Sequence, residues 1–199
     1  MTFPDGRAVT LRLQVPGVHN LRNAVAALGA VAGLGGALAP AVEALAEYRG
    51  LGRRFERLGQ AGGVEVVDDY AHHPTELAAT LAAARQAFPA RRVVAVFQPH
   101  LYSRTALHAE AMGRALAAAD LVVVAEIYGA REQPMPGVSG RQVADAAERA
   151  GARTLFEPDR ALLTRRVFGV LRSGDLVITL GAGDITRVGR ELVQWLNAA

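Results

Sequence analysis

Short apolar, β-branched runs recur along the chain at residues 64–67, 93–97, 121–125 and 176–180, with a shorter one at 154–156. Each has the length of a strand buried on both faces and is too short for a helix. Between them stand stretches rich in Ala, Leu, Arg and Glu at 75–87, 106–118, 139–150, 159–171 and 185–196, where apolar positions return at helical spacing. Pro74, Ser139 and Asp159 stand where helix starts are expected. This alternation predicts an α/β domain, a Rossmann-like, mainly parallel sheet with helices on both faces. Ligands gather at the carboxyl ends of the strands in such a sheet, so its corners are where chemistry is expected.

Residues 1–54 break the rhythm. Positions 8–15 alternate like a strand and end at Pro16-Gly17; a very apolar helix follows at 20–33, a second at 40–48, and then a turn at 50–54. One strand and two helices do not close a core. The expectation is that 1–54 is the incomplete tail of a larger domain and 55–199 a complete one. On that reading much of helix 20–33 should be exposed, or covered by another copy of the chain.

Composition narrows the chemistry. The 199 residues contain no cysteine, which excludes disulfides, thiolate metal sites and thiol nucleophiles. They also contain no lysine, so all 22 basic residues are arginine, and the net charge is only +3. Arginines interspersed with acids make a solvated surface rather than a track for phosphates, and no nucleic-acid partner is expected. No apolar run approaches the ~18 residues of a membrane span, and the start lacks a signal-peptide pattern. The expectation is a soluble, cytoplasmic protein without membrane insertion.

Five segments carry candidate chemistry. In "PGVHNLRNA" (16–24), His19, Asn20 and Asn23 share one side of a first helical turn. Their amides offer a donor and an acceptor together, as an adenine edge requires, although a capped helix start reads the same way. In "GLGRRFE" (50–56), adjacent arginines between glycines suit either an anionic ligand gripped bidentately or a solvated linker. "VVDDYAHHPTEL" (66–77) gathers two acids, a tyrosine and two histidines at a strand's carboxyl end, ahead of a helix opened by Pro74, Thr75 and Glu76. Such a corner suits hydrogen bonding to a polar ligand or a metal-bound phosphate; adjacent histidines need not share a target, and a zinc site is not expected. In "FQPHLYSRT" (97–105), His100 and Arg104 suit a carboxylate. In "LGAGDIT" (180–186), Gly181 and Gly183 form a candidate anion-binding turn, or serve only to tighten it.

In this order and spacing, "GVHNLRNA", "GRRFE", "VDDYAHHPTE", "FQPHLYSRT" and "GAGDIT" resemble the carboxyl-terminal part of the Mur ligases, from about residue 10 to the end. The similarity is greatest to the branch that adds L-alanine to UDP-N-acetylmuramate in peptidoglycan synthesis. The resemblance implies that ATP phosphorylates the lactyl carboxylate, the amine of L-alanine attacks the acyl phosphate, and magnesium balances charge. It implies ATP binding by His19, Asn20 and Asn23 at adenine and by Arg54 and Asp69 near the ribose and phosphates. It assigns Tyr70, His72, His100 and Arg104 to the incoming amino acid. It also implies that 1–54 ends a central ATPase domain, that the amino-terminal and central ligase domains are partners, and that magnesium is held mostly by the central one, with no metal ligand in 1–199.

Two departures bear on these expectations. Leu101 stands where the family usually has arginine. The phosphate-gripping loop and the modified lysine near magnesium both need lysine, which the chain lacks, so no catalytic residue is assigned and the chain alone is expected to be inactive. Two alternatives stay open: the related ligase that recycles murein peptides, which shares the D-D-(Y/F)-A-H-H-P corner, and a non-catalytic nucleotide-binding α/β module.

Overall fold

A computed structural model describes residues 1–3 and 6–198. Its elements are α1 (Val18–Gly33), α2 (Leu38–Glu47), β1 (Glu56–Ala61), β2 (Val64–Asp69), α3 (Pro74–Ala87), β3 (Arg92–Phe97), α4 (Tyr102–Leu116), β4 (Leu121–Ala125), α5 (Arg141–Arg149), β5 (Thr154–Glu157), α6 (Arg160–Phe168), β6 (Asp175–Leu180) and α7 (Thr186–Ala198). The strands form one sheet in the order β1-β2-β6-β3-β4-β5. β2 to β6 run parallel, and β1 pairs antiparallel with β2.

The parallel strands are apolar at nearly every position because both sheet faces are covered. Leu77, Leu81, Met112, Leu116, Val143 and Ala147 from α3, α4 and α5 pack on one face, and Leu163, Val167, Val188 and Leu192 from α6 and α7 on the other. The doubly covered, mainly parallel sheet agrees with the expectation. The chain steps outward from β3 through β4 to β5, then returns across the opposite face to insert β6 between β2 and β3. That reversal sets the carboxyl ends of β2, β6 and β3 side by side, as at the ligand crevice of doubly wound folds. At the opposite, entering ends, the Asp175 carboxylate of β6 accepts from Arg92 Nε at 2.8 Å and Nη2 at 2.6 Å, and from the Arg172 amide at 2.8 Å.

Several boundaries differ from expectation. Residues 8–15 form no ladder strand; only Ala8 bridges to Thr2. Alternation marks one-sided burial, but a strand also needs a neighbour for its backbone groups, and among the described residues none pairs with this segment as a ladder. Strand β1 was not anticipated, being a weakly apolar edge strand turned by Gly62 and Gly63, both at positive φ. Helix α4 starts at Tyr102, so Arg104 stands in its first turn rather than in a loop. Gly140, not Ser139, precedes α5; Asp159 does cap α6, its carboxylate accepting the Ala161 amide at 2.8 Å.

The amino-terminal helices carry a small separate cluster of Phe3, Leu28 and Leu38. Along α1 only Ala24 and Leu28 are buried, and Val18, Leu21 and Val25 are exposed, as the expectation for this helix required.

Candidate functional site

The corner after β2 explains its own composition. Asp68 is fully buried and accepts from Arg53 Nε at 3.0 Å and from the Thr179 hydroxyl at 2.5 Å. Asp69 accepts the Phe55 and Ala71 amides, each at 2.8 Å. Burial pushes the Asp69 carboxyl above its ordinary range, against the pull of those amides and of Arg54. Pro74 opens α3, and His73 caps it through Nδ1, which accepts the Thr75 amide at 3.4 Å. Glu76 closes the cap by accepting the amides of His72 and His73 at 3.0 and 3.1 Å. Partial burial pushes the Glu76 carboxyl up, but those two amides hold it below the ordinary carboxylate range.

The two histidines therefore part company. His73 belongs to the helix cap. His72 has Nδ1 at 3.0 Å from the Tyr70 carbonyl, which can only accept, and at 3.3 Å from the Glu76 carboxylate, so Nδ1 carries the proton and Nε2 is the acceptor whenever the ring is neutral.

A cavity of about 490 Å³ opens between α1, the connector and α3. His19, Asn20, Asn23, Arg54 and Asp69 all line it, beside Tyr48, Thr75 and Glu76. Its volume suits a small-molecule ligand. Asn20 Nδ2 donates to the Pro16 carbonyl at 2.6 Å, which fixes that amide. A larger crevice of about 820 Å³ lies between residues 13–16, the connector and Phe88. None of the candidate residues lines it, and its Arg57 is already paired with Glu65.

A chain of rings leads away from Arg54. Its guanidinium lies 5.5 Å from the Tyr70 ring, Tyr70 meets His72 edge-on at 5.3 Å, and His72 meets His100 at 5.9 Å. Arg104 Nη1 and His100 Nδ1 are both buried with no hydrogen-bond partner among the described residues. Burial pushes the His100 imidazole below the usual 6.5, and the Arg104 and His72 charges push it further, against Glu132. His100 is neutral at pH 7 and offers a single donor. Because its folded pKa is depressed, its contribution to stability is fully present above the unfolded value and is lost as pH falls through the folded one. By NMR, His100 should titrate at lower pH than an unfolded peptide histidine, and His100→Gln should flatten the stability profile below about pH 6.5. A midpoint at or above the peptide value would rule out burial as the dominant influence on this imidazole.

The family described as "Mur ligase, glutamate ligase domain" matches residues 53–183. The chain belongs to the Mur ligase family. It is 52% identical to the UDP-N-acetylmuramate--L-alanine ligase of Kineococcus radiotolerans, over 94% of this chain and 40% of that protein. The UDP-N-acetylmuramate-alanine ligase structure from Thermotoga maritima superposes with a TM-score of 0.82 at 31% identity, covering 99% of this chain and 42% of that one. A murein peptide ligase from Psychrobacter arcticus shares the fold at 23% identity and a TM-score of 0.70, over 95% of this chain and 39% of that one. The chain thus spans about 40% of the length of the curated relatives it matches.

Within this Mur ligase chain, two features of the corner escaped the sequence reading, the Tyr128 ring and the backbone strain at Leu101. Tyr128 stacks on His100 at 5.8 Å and 15°, held by a parallel bridge between the two residues. No motif marks it; only the β3 and β4 pairing brings it there. Leu101 has φ +71, a strained conformation of the kind that clusters at functional corners. The glycine turn after β6 is tightly packed: the Gly181 amide donates to the Asp69 carbonyl at 3.1 Å, and a Cβ on Gly183 would stand 2.5 Å from Gln98 Oε1 and 2.6 Å from the Tyr128 ring. Among the described residues no group of three or more His, Asp or Glu is arranged to hold a metal ion. Among the same residues no helix is long and apolar enough to cross a membrane.

Proposed function

We propose that the chain is the carboxyl-terminal part of an ATP-dependent ligase that joins L-alanine to UDP-N-acetylmuramate through an acyl phosphate, in peptidoglycan synthesis. The observation that carries this reading is the convergence of His19, Asn20, Asn23, Arg54 and Asp69 on one cavity of about 490 Å³, with Tyr70 joining it to His72 and His100. Asn20 and Asn23, with His19, bind adenine, while Arg54 and Asp69 meet the ribose and phosphates. Arg104 grips the amino-acid carboxylate with its unpartnered fork, and neutral His100 adds one donor. His72 Nε2 accepts a hydrogen bond from the attacking amine, and Tyr70 separates the two ligands.

Residues 1–54 close against the remainder of a longer ligase, which supplies the phosphate loop and the UDP site; the exposed flank of α1 supports this. Magnesium travels with ATP and is held mainly by that remainder. The peptide-recycling ligase is the weaker reading, because the curated relatives at about half identity carry the alanine-adding name.

The test is a chimera in which this chain replaces the matching segment of the Kineococcus radiotolerans ligase. Phosphate release from ATP that requires both UDP-N-acetylmuramate and L-alanine is the expected result. A folded chimera that turns over a tripeptide but not L-alanine would favour the recycling ligase, and one that binds ATP without turnover would favour a binding module.

A further inference from the structure

The two adjacent arginines of "GRRFE" do different things. Arg54 lines the nucleotide cavity and Arg53 does not. The backbone between them is unusual: Arg53 has φ +58 and Phe55 has φ +52, a left-handed region that residues with a Cβ avoid. Such a conformation persists only where its surroundings over-determine it. Apart from the Arg54 amide, which donates to the Leu51 carbonyl at 3.1 Å within the connector, its restraints come from the carboxyl ends of β2 and β6 or from the start of β1. Arg53 Nε donates to buried Asp68 at 3.0 Å, and Nη2 to the Gly181 carbonyl at 2.5 Å. The Arg53 carbonyl accepts the Tyr70 amide at 2.7 Å, its own amide donates to Glu56 at 2.7 Å, and the Phe55 amide donates to Asp69. The guanidinium also covers the Tyr70 ring at 4.9 Å.

We propose that Arg53 is a positioning residue, a latch that pins the strained connector to the ends of β2 and β6 and thereby aims Arg54 into the nucleotide cavity. The exposed-pair alternative, in which such a contact contributes little, does not fit: Asp68 has no exposure and the Arg53 side chain retains only 24%. The fork geometry is specific to arginine, because one guanidinium reaches a carboxylate and a backbone carbonyl on two strands at once, which an ammonium does not reproduce. Gly181 completes the latch. A Cβ there would stand 2.7 Å from the Gln98 carbonyl, so only glycine lets the turn sit where its carbonyl meets Arg53. The nucleotide part of this inference rests on the function proposed above; the latch itself does not.

The absence of cysteine makes a direct test available, since Leu34→Cys and Leu107→Cys, both at exposed positions, give two unique spin-label sites on either side of the connector. With Arg53 present, electron-electron resonance should give one narrow distance distribution. Arg53→Asn removes the fork while keeping a residue that tolerates the left-handed region, so a connector governed by its backbone conformation alone would keep the narrow distribution. The latch predicts a distribution at least about twice as wide for Arg53→Asn and an intermediate one for Arg53→Lys, which keeps the charge beside Asp68. Equal widths would overturn the latch, whatever a ligase assay gives. In the chimera, Arg53→Lys should raise KM for ATP on the order of tenfold with little change in kcat. A lowered melting temperature with an unmoved KM for ATP would reduce Arg53 to a structural residue and overturn the aiming role. A chimera inactive with Arg53 intact counts against the proposed function, and the label distances then still decide the latch.

Discussion

Arg104→Ala, introduced into the complete ligase, is expected to lower kcat/KM for L-alanine by about a hundredfold, mostly through KM. The size follows from chemistry: a charge-assisted contact to a carboxylate contributes about 1.5–3 kcal/mol, and each 1.4 kcal/mol is tenfold. Arg104 stands in the first turn of α4 with Nη1 buried and unpartnered, so no internal bond has to break before it binds. Arg104→Lys should recover only part of the loss, because a single ammonium does not reproduce the fork. Steady-state kinetics with L-alanine varied at saturating ATP is the measurement. An unchanged KM for L-alanine would remove Arg104 from the amino-acid site.

Asp175→Ala should cost about 3 kcal/mol of folding stability, the lower end for breaking a buried pair, because the Arg92 side chain keeps 24% exposure. The substitution removes the carboxylate acceptor of the Arg92 guanidinium, which keeps only the Val170 carbonyl at 2.8 Å, and leaves the Arg172 amide without its acceptor at the entering ends of β3 and β6. At this chain length the loss corresponds to a fall of about 10 °C in melting temperature. Asp175→Asn, which keeps an acceptor but not the charge, should lose less. Denaturant unfolding of the two variants beside the parent measures both. Because Asp175 lies at the opposite ends of the strands from the candidate site, ATP binding by the folded fraction should stay unchanged.

The parallel strands were legible because burial on both faces demands an apolar residue at nearly every position, and 64–67, 93–97, 121–125 and 176–180 meet that demand within themselves apart from Glu65 and Thr179. The helices between them were legible for the same local reason, to within a few residues at each end. Strand β1 was not, since an edge strand with the sequence "ERLGQA" is half exposed and owes its conformation to β2 rather than to its own pattern. Residues 8–15 show the converse: the alternation was present, but no partner strand was found among the described residues.

At the site, residue types and order determined the family and which corners to inspect, because titratable side chains at the end of a buried strand are written in the sequence itself. Three-dimensional contacts decided how those side chains divide the work. Asp68 and Asp69 turn inward to hold residues 53 and 55, His73 caps a helix while His72 meets His100, and Arg53 latches while Arg54 lines the cavity. Sequence spacing does not separate neighbours such as these, since one backbone step sends adjacent side chains in different directions. Tyr128 reaches His100 only because the strand order joins β3 to β4. Local pattern reports which residues a segment buries, whereas the partner each polar atom meets depends on which distant strand end the fold sets beside it.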